Sequence, residues 1–278
     1  MDSAAVILML IAGLHASWHA IVKTGRSLSV LAGMGLVSAV VTLPFLFFVP
    51  VPSSEVWLVL LLSLFLHAAY KVSLALAYQG SELSKAYPLA RGLVPLFATP
   101  LSCILLLQLP KPMQLAGIVV TVCGAVGLAI GPKRSIFHVR TLFAAVGASA
   151  MVAGYSVVDA LGTRGPSGWL SFTAWVIVLD SLSFLAVARS IRGPLIWAEV
   201  RGAIWTTLAA GILGVSSFAV LLWALSRNPV ASVVAFRECS VVFATLIGVL
   251  MLKEHGSYRK FLSITLVVIG LILVASSN

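Results

Sequence analysis

The sequence predicts an all-α integral membrane protein of ten transmembrane helices, arranged as two inverted five-helix repeats. Three observations predict it. Sixty per cent of the 278 residues are hydrophobic and only 9% are charged, whereas a soluble domain carries about a quarter charged residues. The apolar residues fall into runs of about 20, the length that crosses a bilayer as a helix. The sequence also repeats itself. Slid so that Arg91 lies on Arg237, it places Phe97-Ala98-Thr99 on Phe243-Ala244-Thr245, Gln108 on Glu254 and Gly124 on Gly270. Continuous runs of this length exclude a β-barrel, whose strands are about half as long and alternate.

Taken in order, the runs are about 3–22, 29–49, 55–79, 84–107, 112–131, 138–162, 166–190, 202–226, 229–251 and 257–276. The first lacks a basic flank and a small-residue cleavage site, so a retained helix is expected there. Turn-forming residues punctuate the rest: Pro50-Val51-Pro52, Gly80, Pro110-Lys111-Pro112, Gly131-Pro132, Gly165-Pro166, Gly193-Pro194 and Asn228-Pro229. The linkers are short and no soluble domain is expected. The repeats divide at 1–131 and 132–278. Because five is odd, the second enters the membrane upside down relative to the first, an arrangement suited to presenting one site alternately to two sides.

The net charge of +10 comes from basic residues scattered singly between apolar runs, unlike the patch or arm of a nucleic-acid binder. It reports orientation instead. Loops after the odd spans hold Lys23, Arg26, Lys85, Lys133, Arg134, Arg140, Arg189, Arg192, Arg201, Lys253, Arg259 and Lys260; those after the even spans hold Lys111, Arg164 and Arg227. The positive-inside rule then puts the odd loops in the cytoplasm and both termini outside. Cys103, Cys123 and Cys239 lie within apolar runs without CxxC spacing and read as small packing residues.

The chain resembles the EamA-type members of the drug/metabolite transporter superfamily. The residues that carry the resemblance are Ala86–Pro100 with Gln108 and Gly124, then Ser232–Gly248, Leu252-Lys253-Glu254 and Gly270. The resemblance covers essentially the whole chain and implies a central cavity lined mainly by helices one, three, four, six, eight and nine. Helices five and ten take a peripheral packing role. Where the family usually has an acidic residue at the end of the fourth helix, this chain has Gln108, expected to act as a helix-end partner for a loop cation.

Lys71, Arg91 and Arg237 are the basic residues left inside spans. An intramembrane charge is expensive, so it is rarely there without a task. At 1.5 Å per residue, Arg91 and Arg237 each lie roughly 10 Å in from opposite faces, near the middle of a core about 30 Å thick. Guanidinium groups hold carboxylate or phosphate bidentately. The alternative is an internal ion pair, for which the candidate is Glu238, adjoining Arg237 and pointing about 100° away toward a neighbouring helix; Gly92 stands at the matching place beside Arg91, which favours Arg91 for the solute or a gate. Pro88, Gly92, Pro95 and Pro100 break the fourth span, as tolerated where a helix lines a polar cavity.

Lys71, with Tyr70 beside it and Tyr78 on nearly the same face, is either a cavity cation or a snorkelling residue. His15 and His19 stand one turn apart around Trp18. With no third ligand at metal spacing, they are expected to serve cavity hydrogen bonding or proton coupling. Tyr87 in span four, Tyr155 in span six and Trp223 in span eight complete the expected solute site of Arg91, Arg237, Lys71, Tyr78, His15, Trp18, His19 and Glu238. Glu238, Asp159 and His19 are the coupling candidates, and Asp180 is expected to be a structural partner. No cofactor or metal is expected, and no phosphate loop or nucleophile elbow supports an enzyme.

The expectation is therefore a multi-pass protein of a bacterial inner membrane whose partners are the lipid bilayer and a small solute. It would move a small anionic or zwitterionic metabolite, such as an amino-acid-like or organophosphorus compound. Two alternatives stand beside it. One is an exporter of cationic drugs working through Glu238 and Asp159; the other is a membrane-embedded enzyme or a non-transporting scaffold.

Overall fold

Helices make up all the regular structure of the computed structural model, which describes residues 3–24, 27–79, 87, 90–129, 139–251, 253 and 257–276. They are α1 (Ser3–Thr24), α2 (Ser27–Thr42) continued by a 3₁₀ turn (Leu43–Phe47), α3 (Ser54–Tyr78), α4 (Val94–Leu106), α5 (Pro112–Ala129) and α6 (Val139–Thr163). They continue as α7 (Gly168–Arg192), α8 (Leu195–Gly202), α9 (Ile204–Arg227), α10 (Val230–Arg237), α11 (Cys239–Leu250) and α12 (Tyr258–Ser276). Lys85, Ala86, Pro88, Glu254 and the 130–138 linker lie outside the described residues.

Six of these stretches are long and apolar enough to cross a membrane: Ser27–Phe47, Ser54–Tyr78, Val139–Thr163, Gly168–Arg192, Ile204–Arg227 and Val230–Ile247. Ala90–Leu106 and Pro112–Gly127 are shorter apolar helices. The surface agrees with burial in lipid. Phe65, Ile104 and Phe143 are 67%, 73% and 73% exposed, while Arg91, Asp159 and Glu238 are 0% exposed. Large apolar side chains turned outward around buried charges suit hydrocarbon and not water.

The turn residues act where the sequence places them. Pro50 and Pro52 separate the 3₁₀ turn from α3, Gly193 closes α7 in a left-handed conformation (φ 63°), and Pro229 caps α10. Left-handed backbone also appears at Leu107 (φ 53°) and Lys253 (φ 54°), two positions that coincide when Arg91 is laid on Arg237. Gln108 follows Leu107 and accepts the Val230 amide at 3.0 Å through its side-chain oxygen. It is a helix-end partner for a free backbone donor of α10, and among the described residues it holds no loop cation.

One helix was not expected. Leu195–Gly202, within a presumed linker, forms α8, held by Glu199 to Arg192 and to the Ser29 hydroxyl.

The packing order is regular. α1 lies on α9 and α11, and α6 lies on α3 and α4. α2 sits against α7 and α9, α3 also meets α7, and α10 meets α4. α5 and α12 pair closely over a small apolar cluster of Ile118, Val267, Leu271 and Val274, which Ala231 and Ala235 of α10 complete. Glycines permit this approach. A Cβ at Gly270 would stand 2.6 Å from the Gly117 carbonyl oxygen, and one at Gly124 would stand 2.7 Å from that of Ser263. In lipid, where apolar burial between helices gains little, such close backbone contact drives association.

Gly270→Val is expected to cost roughly 1–3 kcal/mol through overpacking, read as a lower thermal midpoint of the detergent-purified protein. Gly13→Ala, where a new Cβ meets nothing within 4 Å, should leave the midpoint unchanged or higher.

Candidate functional site

The helices carrying Arg91 and Arg237 are each broken within two residues after the arginine. The helix carrying Arg91 turns at Leu93 before α4 begins, and α10 ends at Arg237 with a turn at Glu238 before α11. Pro95 at the start of α4 lacks the amide a continuous helix would need. The second break has no proline; there the Glu238 amide is shared among several carbonyls of the preceding turn. A break frees backbone groups, and a buried break is stable only among polar surroundings.

Those surroundings are two guanidinium groups and one carboxylate. Arg91 Nη2 lies 3.6 Å from Glu238 Oε1, with both side chains fully buried. Successive residues on a helix point about 100° apart, so Glu238 turns away from its neighbour Arg237 and reaches across to Arg91. The charges meet, yet neither group has a hydrogen-bond partner among the described residues. Arg237 is 3% exposed and its three guanidinium nitrogens likewise lack partners. Its Cζ lies 5.7 Å from the Tyr155 ring centre, a cation–π contact.

Around these charges α1 and α3 present inward faces at helical spacing. His19 stacks on Trp18 (3.6 Å) and bonds Tyr78 through Nδ1 at 2.7 Å. The Trp18 indole donates to His15 Nδ1 at 3.1 Å. Tyr87 gives its hydroxyl proton to Ser240 at 2.7 Å, tying the fourth span to the ninth. On α3, Ser63, His67 and Lys71 fall at i, i+4 and i+8, one stripe of the helix. Lys71 forms an ion pair with Asp180 of α7 at 2.5 Å. Ser63 donates to Asp159 at 2.6 Å, and His67 stacks on Tyr155 at 4.0 Å.

Between them lies a cavity of about 80 Å³, room for a few waters or a very small solute. Of the expected site residues, His15, Trp18, Lys71, Tyr155 and Arg237 stand in its wall. His19, Tyr78, Tyr87, Arg91, Glu238 and Asp159 are buried outside that wall. Trp223 is elsewhere, under the guanidinium of Arg227 (5.5 Å) near the end of α9.

The wall also differs from the helix set implied by the family resemblance. α2 (Met34, Ser38) and α7 (Asp180, Ser181) contribute to it, and α4 does not, because Arg91 is turned toward Glu238. Asp180 is both a wall residue and the partner of Lys71. His67 was not singled out from the sequence, although its place one turn before Lys71 was a usable signal. Among the described residues no three His, Cys, Asp or Glu side chains converge as metal ligands.

Residues 139–276 match the family model described as the EamA-like transporter family. Through those residues the chain belongs to that family. It is thus a multi-pass membrane protein of a transporter family. A solved crystal structure, titled only as that of a protein, is similar over 98% of this chain and 96% of the other. Its TM-score is 0.72 at 18% identity, a likeness that shows the fold alone. No curated protein matches the chain.

A partly buried ion pair is worth less than the cost of breaking it from one side. Asp180→Asn, which strands Lys71 in the wall, is therefore expected to lower the thermal midpoint more than the double change Lys71→Met/Asp180→Leu. Equal losses in both would show that the pair contributes nothing beyond its packing.

Proposed function

We propose that the protein is a secondary transporter that moves a small anionic or zwitterionic metabolite by alternating access around this cavity. The observation that carries the reading is the charge balance of the wall. Within the wall Lys71 is matched by Asp180, and behind it Arg91 is matched by Glu238, whereas Arg237 lines the cavity with no carboxylate within ion-pair distance and no hydrogen-bond partner among the described residues. A guanidinium held out of water without a partner is costly, and a carboxylate, phosphate or phosphonate group would satisfy it bidentately. The carboxylates give the cation-exporter reading less support. Glu238 and Asp159 stand outside the wall, and Asp180 already holds Lys71.

Support for two inverted repeats comes from the packing. Exchanging the first five spans for the last five turns α3 on α6 into α9 on α1. It likewise turns α4 on α6 into α11 on α1, and α2 on α9 into α7 on α3, and each of these contacts is present. α5 on α12, α2 on α7 and α4 on α10 map onto themselves. The paired left-handed residues Leu107 and Lys253, and the paired breaks after Arg91 and Arg237, fit the same exchange. In this reading both termini face the outside of a bacterial inner membrane and the lysine- and arginine-rich loops face the cytoplasm. Rocking one repeat against the other would open the central cavity to each side in turn.

The test is thermal unfolding of the purified protein against a panel of small carboxylates, phosphonates, zwitterions and organic cations. A ligand at 100 times its dissociation constant adds about 2.7 kcal/mol. Stabilisation by anions or zwitterions is expected in the wild type, its loss in Arg237→Gln, and partial retention in Arg237→Lys. Stabilisation by organic cations alone, indifferent to Arg237, would overturn the reading.

A further inference from the structure

Ser63 and His67, one turn apart on α3, face Asp159 on α6, and all three are buried. Their hydrogen-bond accounting leaves one proton unassigned. The Ser63 hydroxyl donates to Asp159 Oδ1 at 2.6 Å, which uses its single proton. His67 Nδ1 lies 3.0 Å from the Ser63 carbonyl oxygen, which can only accept, and 3.2 Å from the Ser63 hydroxyl oxygen. Nδ1 therefore carries a hydrogen. In a neutral imidazole the other nitrogen is then a bare acceptor.

That nitrogen, Nε2, faces Asp159 Oδ2 at 3.7 Å. These two atoms are also the ones in the cluster without a hydrogen-bond partner among the described residues. If His67 is neutral and Asp159 ionised, two lone pairs oppose each other in a buried site. One added proton, on either atom, turns that opposition into attraction.

From this geometry we infer that Ser63, His67 and Asp159 form a proton-loading site through which a proton is carried together with the anion at Arg237. The inference rests on the transporter reading above. The step is a simple proton transfer. The proton comes from water in the cavity, bonds to Nε2 or Oδ2, and returns to water on the other side. His67 is the entry, because it stands in the cavity wall, while Asp159 lies behind it. The Ser63 hydroxyl orients the carboxylate.

The Tyr155 ring couples the two sites. One contact of the ring is the His67 imidazole, stacked at 4.0 Å, and another is the Arg237 guanidinium, 5.7 Å away. The remaining titratable groups on the wall are Tyr70 and Lys71 of α3, His15 of α1 and Asp180 of α7. Lys71 and Asp180 largely cancel each other. An ionised Asp159 offsets the charge of Arg237. A proton on the pair removes that offset and leaves Arg237 free to draw an anion. By linkage, an anion on Arg237 favours the proton to the same degree. The transported unit is then neutral overall, a monoanion with one proton.

The test needs no solute. The full chain, labelled with ¹⁵N-histidine in lipid nanodiscs, is titrated by NMR, with infrared spectra recording the state of its carboxyl groups. His67→Gln assigns the imidazole resonance and Asp159→Glu assigns the carboxyl band, so a variant that does not fold leaves the other assignment standing. The expected result at pH 7 is one retained proton, seen as a His67 imidazolium or a protonated Asp159 carboxyl. In Arg237→Gln, which removes a nearby positive charge, the pair should keep its proton to a higher pH. A neutral His67 facing an ionised Asp159 at pH 7 overturns the inference, and an unmoved titration in Arg237→Gln overturns the link to the anion site. Both readouts are independent of solute binding, so either failure can be told apart from a failure of the transporter reading.

Discussion

Two arginines held near the middle of a membrane protein govern how the rest is built. Each carries a charge that hydrocarbon cannot solvate, and the mildest scale puts the cost at roughly 2.5 kcal/mol or more per residue. One is met by a partner. Arg91 faces Glu238 at 3.6 Å, and because the two lie on different spans, their attraction holds the fourth span against the ninth. Tyr87 to Ser240 and Gln108 to Val230 cross the same boundary, and Gln114 of α5 bonds Ser232 of α10 beside it. The other arginine is not met in this way, and the cavity lies beside it.

The same asymmetry separates structure from function within a repeated sequence. Sliding the chain along itself makes Arg91 and Arg237 equivalents, but Gly92 stands where the second copy has Glu238. A repeat with no carboxylate in either half would leave two uncompensated charges. With a single glutamate, Arg91 has a carboxylate within ion-pair distance and Arg237 has none among the described residues. The close-packed α5–α12 pair, built on Gly117, Gly124 and Gly270, stands apart from the cavity wall as a scaffold.

Much of this was legible in the sequence because the bilayer imposes simple rules. Run lengths gave the long helices, and Pro and Gly gave most of their ends, though not the break at Glu238. The cost of intramembrane charge gave Arg91, Arg237, Lys71 and the acidic residues. What stayed hidden depended on rotation and on distant partners. That Glu238 points away from Arg237 toward a neighbouring helix follows from the sequence, but that its partner there is Arg91, the arginine the sequence favoured for the solute, does not. Asp180 was read as structural, but it sits in the wall as well as on Lys71. His67 and Ser63 looked ordinary until α6 brought Asp159 to them. α8 was missed because eight residues are too few to show a membrane-length run.

The account turns on whether Arg237 meets the solute during transport. Counterflow in proteoliposomes tests this directly, using whichever anionic or zwitterionic solute stabilises the wild type. The account predicts exchange by the wild type, little in Arg237→Gln, and partial exchange in Arg237→Lys. Full exchange by a folded Arg237→Gln protein would contradict it.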